Sequence, residues 1–452
     1  MQQLHPQLRL RSYLNANRSK RAKLTFRIGG GRVRLETAGC GGIVADKIAQ
    51  SHGRMHALDG LRATMMLLGI VLHSACSYMT VGLGPVWPYQ DPSQTVLADL
   101  TVAFIHVFRM PIFFALAGFF AAMLYLRRGP GGLLNNRLQR IGIPLAVGLV
   151  VLTPFIKSGF TFAVAARDTS IGEAWTIVTA MAAAPATYMP RYTMHLWFLY
   201  DLLYFYVFAV MIAAACKRMP LVWRTAVLKS FGSLLKRPLL RVVIPGIVTA
   251  LTLVPARGGI PTVVVFTPDF YVLMVYGVFF GFGWLLYFNR DALPSFDRFA
   301  WLQTVGGLVL YLGVKLGVAP AYGVNPGFTF PVAVQCLTGG IVVWMMFFGL
   351  TGLFLRYLDR PSARIRYIVD GSYWVYLVHL PCVAWMAGVL AGVDLPALLK
   401  LSIVLTTATV LGFVSYDLFA RSSFIGQVLN GHRYPRGIPT DSQLEAAPLK
   451  AS

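Results

Sequence analysis

The sequence is poor in charge, and above all in negative charge. Only 13% of its 452 residues are charged, whereas soluble domains carry about 25%, and 17 Asp and Glu stand against 40 Lys and Arg. A net charge of +23 in a soluble protein would favour nucleic acid. Here the basic residues lie mostly between long apolar runs, and mean hydropathy is +0.63. We therefore expect a lipid bilayer around the chain and no nucleic-acid partner.

Several sequence motifs of catalysis and metal binding are missing as well. The five cysteines are scattered, no CxxC occurs, and no spacing suits zinc, so we expect no metal site. The sequence has no GxSxG, no Walker A, no HExxH and no glycine-rich dinucleotide turn. These absences argue against an appended hydrolase or ATPase domain, and we expect no bound cofactor. Any chemistry is expected to lie within the membrane.

Long apolar runs predict an all-α integral membrane protein, a bundle of about ten transmembrane helices, since a span needs roughly 20 apolar residues. The fifth run is the least typical because it is short and contains Pro245 and Pro255. The predicted spans are 60–81, 97–126, 141–157, 195–216, 242–256, 270–288, 301–319, 330–355, 371–391 and 398–418.

The connecting segments alternate in basic charge. With the N-terminus inside, the outer segments hold only Arg167, Arg191 and Arg257, while every inner segment is richer in Lys and Arg. By the positive-inside rule, both termini are cytoplasmic, and the protein is a multi-pass protein of the cell inner membrane. We expect a basic, disordered cytoplasmic tail at 1–54, a transmembrane domain at 55–420 and a cytoplasmic tail at 421–452. Alternatively, translation starts at Met55.

Ionisable residues inside predicted spans are costly and mark candidate sites. Arg62 and His73 are eleven residues apart, about three helical turns, so they share one stripe with a rise of about 16 Å. This places Arg62 near the cytoplasmic interface and His73 near mid-membrane. His379 lies at a similar depth in its own span, which makes it a second candidate. The alternative is an arginine that reaches back to the interface and histidines packed for structure.

Two further stretches carry such residues. His106 and Arg109 lie at i and i+3 on one helix face, and Arg109 needs an anion, a dipole or water; Asp99 is an alternative partner. His195 and Trp197 begin the fourth span. The simpler interpretation is that Trp197 belongs to an interfacial aromatic belt and that His195 anchors the helix at the interface. Both remain candidates for acceptor binding or support, as does His106.

Arg137 and Arg140 lie in the predicted loop before the third span. As loop charges they orient the helices, and at i and i+3 they also suit a phosphate.

Taken in order, these elements resemble the membrane-bound acyltransferase family 3. The family pattern is an Arg and a His separated by ten residues on the first helix, here Arg62 and His73, followed by RxxR, here Arg137 and Arg140. Three stretches are similar to the glucan biosynthesis protein C subgroup: FIHVFRMPIFFALAGFF (104–120), HLWFL (195–199) and YLVHLP (376–381). The resemblance covers about 55–431.

The resemblance implies O-acyl transfer from a cytoplasmic acyl-CoA to a hydroxyl of an extracytoplasmic glycan such as a periplasmic glucan, with succinyl or acetyl as the group moved. Arg62, Arg137 and Arg140 are then expected to bind the donor. His73 is the expected general base, with His379 as its rival, and Arg109 the expected oxyanion stabiliser. A transporter or flippase is the competing interpretation, because buried His and Arg also mark proton and substrate paths. A sensor or assembly subunit is a third; the oligomeric state stays open.

Overall fold

The structure is a computed structural model with two compact units, Met1–Met55 with Leu449–Ser452, and His56–Pro448. The residues that the structure describes are 23–28, 31–36, 55–318, 330–360 and 362–437.

The first unit contains a β-hairpin. Strands β1 (Lys23–Ile28) and β2 (Gly31–Glu36) pair antiparallel, with Lys23 opposite Glu36 and Ile28 opposite Gly31. The sequences KLTFRI and GRVRLE alternate polar and apolar residues around a glycine run, which is the pattern of a hairpin. The disorder predicted for 1–54 therefore does not extend to these strands. The other residues of that segment lie outside the described ones, and the domain boundaries stay predictions.

The described part of the second unit is helical. Short 3₁₀ or π turns extend or connect several of the helices, as expected where a helix tightens or widens at its ends. The α-helices in chain order are α1 His56–Cys76, α2 Val96–Arg137, α3 Ile143–Asp168, α4 Ile171–Ala182, α5 Trp197–Lys217, α6 Leu221–Leu235, α7 Leu240–Thr252, α8 Phe270–Phe288, α9 Ala300–Gly313, α10 Phe330–Tyr357, α11 Ala363–Val389, α12 Ala397–Ser415 and α13 Phe424–Asn430.

Eight helical stretches among the described residues are long and apolar enough to cross a membrane. One of them, Val96–Asp168, contains both the second and the third predicted span. The fifth predicted span corresponds to α7, which has 13 residues with Pro245 inside. The chain is thus a membrane helix bundle, while the count of ten crossings and the side of each terminus stay predictions.

Two predicted loops are helical instead. Helix α2 runs to Arg137, interrupted only at Gly129 (φ 71°) before Pro130, and a π turn, Leu138–Gly142, joins it to α3. Arg137 and Arg140 therefore lie on helical backbone and not in a loop. The predicted outer segment 158–194 is also largely helical, because α3 continues to Asp168 and α4 spans Ile171–Ala182. Hydropathy missed both extensions because backbone hydrogen bonds form equally well outside the apolar layer.

Close helix packing fixes the parts that carry the candidate residues. Helices α2 and α8 approach until an added Cβ at Gly118 would overlap the carbonyl of Phe280, so glycine is required there. Helix α11 packs against α1, α3 and α12. Ile70 on α1 and Val375 on α11 belong to one buried apolar cluster. This packing places one face of α1 against one face of α11.

Candidate active site

Helices α1 and α11 bring two histidines into contact. Nδ1 of His73 lies 2.7 Å from Nε2 of His379. The two rings are stacked, with centroids 5.0 Å apart and an interplanar angle of 15°. His379 is fully buried, whereas His73 is partly exposed. The predicted spans place these residues at similar depths, and only the packing of the two helices brings them into contact.

The hydrogen bonds assign the ring protons of the neutral pair. Nδ1 of His379 lies 2.6 Å from the carbonyl oxygen of Tyr376, which only accepts, so His379 donates from Nδ1. Its Nε2 is then an acceptor, and His73 donates to it from Nδ1. Nε2 of His73 consequently carries a lone pair, and no described residue hydrogen-bonds to it. The buried histidine thus orients its partner and leaves a basic nitrogen available.

His195 and Trp87 complete the aromatic surroundings of this pair. His195 is buried, and its ring meets His379 edge-on at 5.2 Å and His73 at 6.5 Å. His195 donates from Nε2 to the carbonyl of Leu377 at 3.0 Å, which leaves its buried Nδ1 without a partner. Trp87 stacks on His73 at 5.7 Å and 10°. His195 is therefore part of the histidine cluster and does not anchor the protein at an interface.

Arg109 is a buried cation beside this cluster. Its guanidinium lies against Gly69 of α1, one helical turn before His73, so that an added Cβ at Gly69 would overlap Nη1. Its Nε has no hydrogen-bond partner, and Nη2 contacts only the sulfur of Met110 at 3.3 Å. No carboxylate of the described residues lies within ion-pair distance of the guanidinium. A buried guanidinium without an anion is a ready site for one.

The alternative partner of Arg109 is engaged elsewhere. Asp99 accepts hydrogen bonds from the backbone and hydroxyl of Thr80, at 3.0 and 2.8 Å, and from the backbone of Val81 at 3.2 Å. It therefore ties down the segment after α1. The structural explanation that paired Arg109 with Asp99 is wrong.

Two further candidates lie apart from the histidine pair. His106 hydrogen-bonds through Nε2 to the carbonyl of Ile260 at 2.9 Å, so its contact is with the segment after α7. Trp197 is buried against Phe114 and Tyr276, with ring centroids 6.5 and 5.6 Å apart. The interfacial belt predicted for Trp197 is therefore wrong, because its ring packs between helices. Trp197 follows His195 by two residues, and a supporting role for it stays a prediction.

The predicted donor-binding arginines form a second cluster, in which Arg128 joins Arg62, Arg137 and Arg140. Arg137 and Arg140 lie three residues apart on helical backbone, so their side chains lie on one side of it. Arg62 pairs with Asp59 at 3.2 Å and lies over the Phe120 ring. The guanidinium of Arg140 lies against Gly431, directly after α13, where an added Cβ would overlap Nη2.

Local contacts hold two of these arginines in place. The hydroxyl of Tyr373 donates to the backbone carbonyl of Arg140 at 2.9 Å, which ties the π turn to α11. The guanidinium of Arg137 lies over the Tyr206 ring at 5.0 Å, and its buried Nε has no partner. Four guanidinium groups so placed attract a polyanion such as a chain of phosphates.

The sequence interpretation missed a buried ion pair. Nζ of Lys400 on α12 lies 2.9 and 3.1 Å from the two carboxylate oxygens of Asp91, and both side chains are almost fully buried. Asp91 belongs to the segment between α1 and α2 that also carries Trp87. A lysine inside a predicted span was the available signal, but its partner lies 309 residues away.

Comparison with known proteins agrees with this geometry. The acyltransferase family 3 model, described as an acyltransferase domain, matches residues 55–417. Glucans biosynthesis protein C of Salmonella heidelberg (strain SL476) is 27% identical over 343 residues, which cover 73% of this chain and 82% of that protein. The proteins of the same name from Salmonella typhi and Salmonella typhimurium (strain LT2) match to the same extent. No solved structure matches.

The matched residues contain the histidine pair, Arg109 and the arginine cluster alike, and they span most of the helix bundle. The chain belongs to acyltransferase family 3, and it is a membrane acyltransferase.

Proposed function

We propose that this protein transfers an acyl group, succinyl or acetyl, from a cytoplasmic acyl-CoA to a hydroxyl of an extracytoplasmic glycan such as a periplasmic glucan. The observation that carries the proposal is a partly exposed imidazole and a buried guanidinium at neighbouring turns of α1. Nε2 of His73 has no hydrogen-bond partner among the described residues, and Arg109, which lies against Gly69 one turn earlier, has no carboxylate partner among them. Acyl transfer to an alcohol needs both: a base for the hydroxyl proton and a cation for the developing oxyanion.

The two groups divide the reaction between them. Nε2 of His73 takes the proton of the acceptor hydroxyl as its oxygen attacks the thioester carbonyl. The carbonyl oxygen becomes an oxyanion, which Arg109 stabilises. The carbon–sulfur bond then breaks, the proton passes from His73 to the sulfur, and CoA leaves as the thiol. An ester bond forms, a thioester bond breaks, and His73 returns to its starting state.

His379 is a positioning residue in this scheme. It accepts from Nδ1 of His73 at 2.7 Å and is itself held by the Tyr376 carbonyl. When His73 becomes an imidazolium, its Nδ1–H still donates to Nε2 of His379, so the tautomer that presents Nε2 to the acceptor is maintained. The rival role as the base itself is disfavoured, because both ring nitrogens of His379 are already engaged.

The arginine cluster supplies the donor site. CoA carries phosphates, and Arg62, Arg128, Arg137 and Arg140 offer several donors with the planar geometry that phosphate prefers. Arg62 and His73 are separated along α1 by a rise of about 16 Å. We infer that the phosphates bind at the arginines and that the thioester reaches toward His73.

The proposed topology places these ends on opposite sides of the cell inner membrane. Ten crossings with both termini cytoplasmic put the arginines inside, and the segment with Trp87 outside. Reporter fusions after Gln90 and after Lys217 are expected to read outside and inside, respectively. The reverse result at either point would contradict this topology.

The test of the activity uses the full-length protein in lipid nanodiscs. Release of CoA thiol from succinyl-CoA or acetyl-CoA is followed with and without a neutral gluco-oligosaccharide. We expect acceptor-dependent turnover in the wild type and a loss of roughly 10²–10⁴-fold in kcat for His73→Ala, because general-base catalysis is worth about that factor. Ser402→Ala, at an exposed position of α12 outside both clusters, is the control and is expected to keep full rate.

Two results would contradict the proposal. If the wild type turns over neither donor with any glycan acceptor, the acyl-CoA donor is wrong. If His73→Ala keeps near-full rate, as Ser402→Ala does, the base lies elsewhere.

A further inference from the structure

A cavity opens at the end of α1 where the chain turns back toward α2. Its volume is about 480 Å³, within the range of roughly 300–1,000 Å³ that ligand sites occupy. Its wall is the segment Gly82–Gln90, closed on one side by Cys76 and on the other by Arg167 from α3. Both the segment and Arg167 belong to parts of the chain that the sequence predicts to be extracytoplasmic.

The cavity adjoins the proposed base. Trp87 lines the cavity and also stacks on the His73 ring at 5.7 Å. Cys76, on the other wall, follows His73 by three residues, so it lies on the same face of α1. A ligand in the cavity is therefore separated from His73 by the thickness of one indole ring and one helical turn.

The cavity wall is held rigidly by side chains. The buried Lys400–Asp91 ion pair fixes the segment from α12, and the Tyr89 hydroxyl donates to the same carboxylate at 2.8 Å. Nε1 of Trp87 donates to the Ser77 hydroxyl at 3.0 Å. These bonds join the wall to α12 and to the end of α1, so they hold the cavity in one shape.

The polar groups of the cavity favour a neutral ligand with hydroxyls. The guanidinium of Arg167 is engaged by the Asp168 carboxylate through two 2.8 Å hydrogen bonds, which offsets its charge and leaves Nη1 free to donate. Gln90 donates from Nε2 to the Met79 carbonyl at 3.0 Å, and its Oε1 accepts. One donor and one acceptor, next to the rings of Trp87 and Tyr89, match the hydroxyl edge and the apolar face of a sugar.

We propose that this cavity, formed by Gly82–Gln90 and Arg167, binds one sugar unit of a neutral glycan, the acceptor for the acyl transfer, while the hydroxyl of a neighbouring unit reaches His73 past Trp87. That the bound glycan is the acceptor rests on the proposed function, whereas the binding of a neutral glycan depends on the cavity alone. Gln90 and Arg167 are the residues that recognise the sugar, and Trp87 is the wall between the sugar and His73.

The test substitutes the two recognising residues, which lie on different elements. Gln90→Leu and Arg167→Gln are compared with Gln94→Leu, a glutamine of the same segment that does not line the cavity. Two quantities are measured on the full-length protein in nanodiscs: the KM for a neutral gluco-oligosaccharide during turnover, and the Kd for the same oligosaccharide by calorimetry without donor. Each cavity variant is expected to raise both about 3- to 10-fold, the worth of one hydrogen bond. The KM for acyl-CoA is expected to stay unchanged, as are all values of Gln94→Leu.

The outcomes separate the cavity from the reaction. If the wild type binds the oligosaccharide, and both variants weaken that binding, the cavity assignment stands even when no acyl-CoA is turned over. If the wild type turns over acceptor while Gln90→Leu and Arg167→Gln leave its KM and Kd unchanged, the acceptor binds elsewhere and the proposal is overturned. Tighter binding of a sulfated oligosaccharide than of the neutral one would overturn the neutral class of ligand.

Discussion

Gly69→Ala tests the proposed role of Arg109 with the addition of a single methyl group. Gly69 lies on α1 one turn before His73, and an added Cβ would overlap Nη1 of Arg109 and contact Cζ at 3.5 Å. Beyond the neighbouring residues and the nearby backbone of α1, no other described atom lies within 4 Å of that Cβ. The guanidinium must therefore move away from α1, while His73 and His379 keep their contact.

The structure sets the size of the effect. Loss of one oxyanion donor typically costs about 10²–10³-fold in kcat, and we expect this loss for Gly69→Ala. Alanine is favoured over glycine inside a helix by about 0.8–1.0 kcal/mol, so α1 itself is not weakened by the change. The variant thus separates activity from helix stability, which a direct substitution of Arg109 would not.

The assay compares kcat, the KM for acyl-CoA and the thermal midpoint with those of a matched variant. Gly60→Ala lies on the same helix, and its added Cβ would meet the Phe354 ring at 3.4 Å, an ordinary contact. We expect Gly60→Ala to keep wild-type kcat and Gly69→Ala to lose it with little change in KM or thermal midpoint. A wild-type kcat in Gly69→Ala would refute the placement of the oxyanion at Arg109.

Substitutions at three other places test the remaining contacts. His379→Leu is expected to lower kcat by no more than His73→Ala does, and His379→Gln to restore part of it, because an amide oxygen still accepts from Nδ1 of His73; equal loss in both would refute the positioning role. The double variant Arg137→Gln/Arg140→Gln is expected to raise the KM for acyl-CoA and to leave the Kd for the oligosaccharide unchanged. An unaltered KM for acyl-CoA would mean that these arginines only orient the helices in the membrane. Lys400→Met leaves Asp91 buried without its cation, so the thermal midpoint in detergent should fall by the equivalent of roughly 3–5 kcal/mol, and an unchanged midpoint would show that the pair does not hold the segment.

The sequence alone determined the membrane class of this protein and the residues worth testing. Low charge and long apolar runs are local properties, so hydropathy finds helices wherever they cross an apolar layer. The stripe that joins Arg62 to His73 is also local, because helical periodicity fixes which side chains share a face. Hydropathy does not detect helical residues outside the apolar layer. The second predicted span therefore ends at residue 126, although α2 continues to Arg137.

Only the tertiary structure decided which of those residues meet. His73 and His379 are 306 residues apart. Helical periodicity predicts which residues share a face of one helix, but it does not predict which faces of two different helices pack together. Lys400 lies in a predicted span and Asp91 between two predicted spans, yet the two residues form one buried ion pair that no sequence pattern relates. His195 looked like an anchor because its neighbours are aromatic, and packing turned it toward the other two imidazoles instead. Sequence patterns report what a residue does within its own helix, whereas an active site depends on contacts between helices, and these are set by the shapes of all the side chains packed between them.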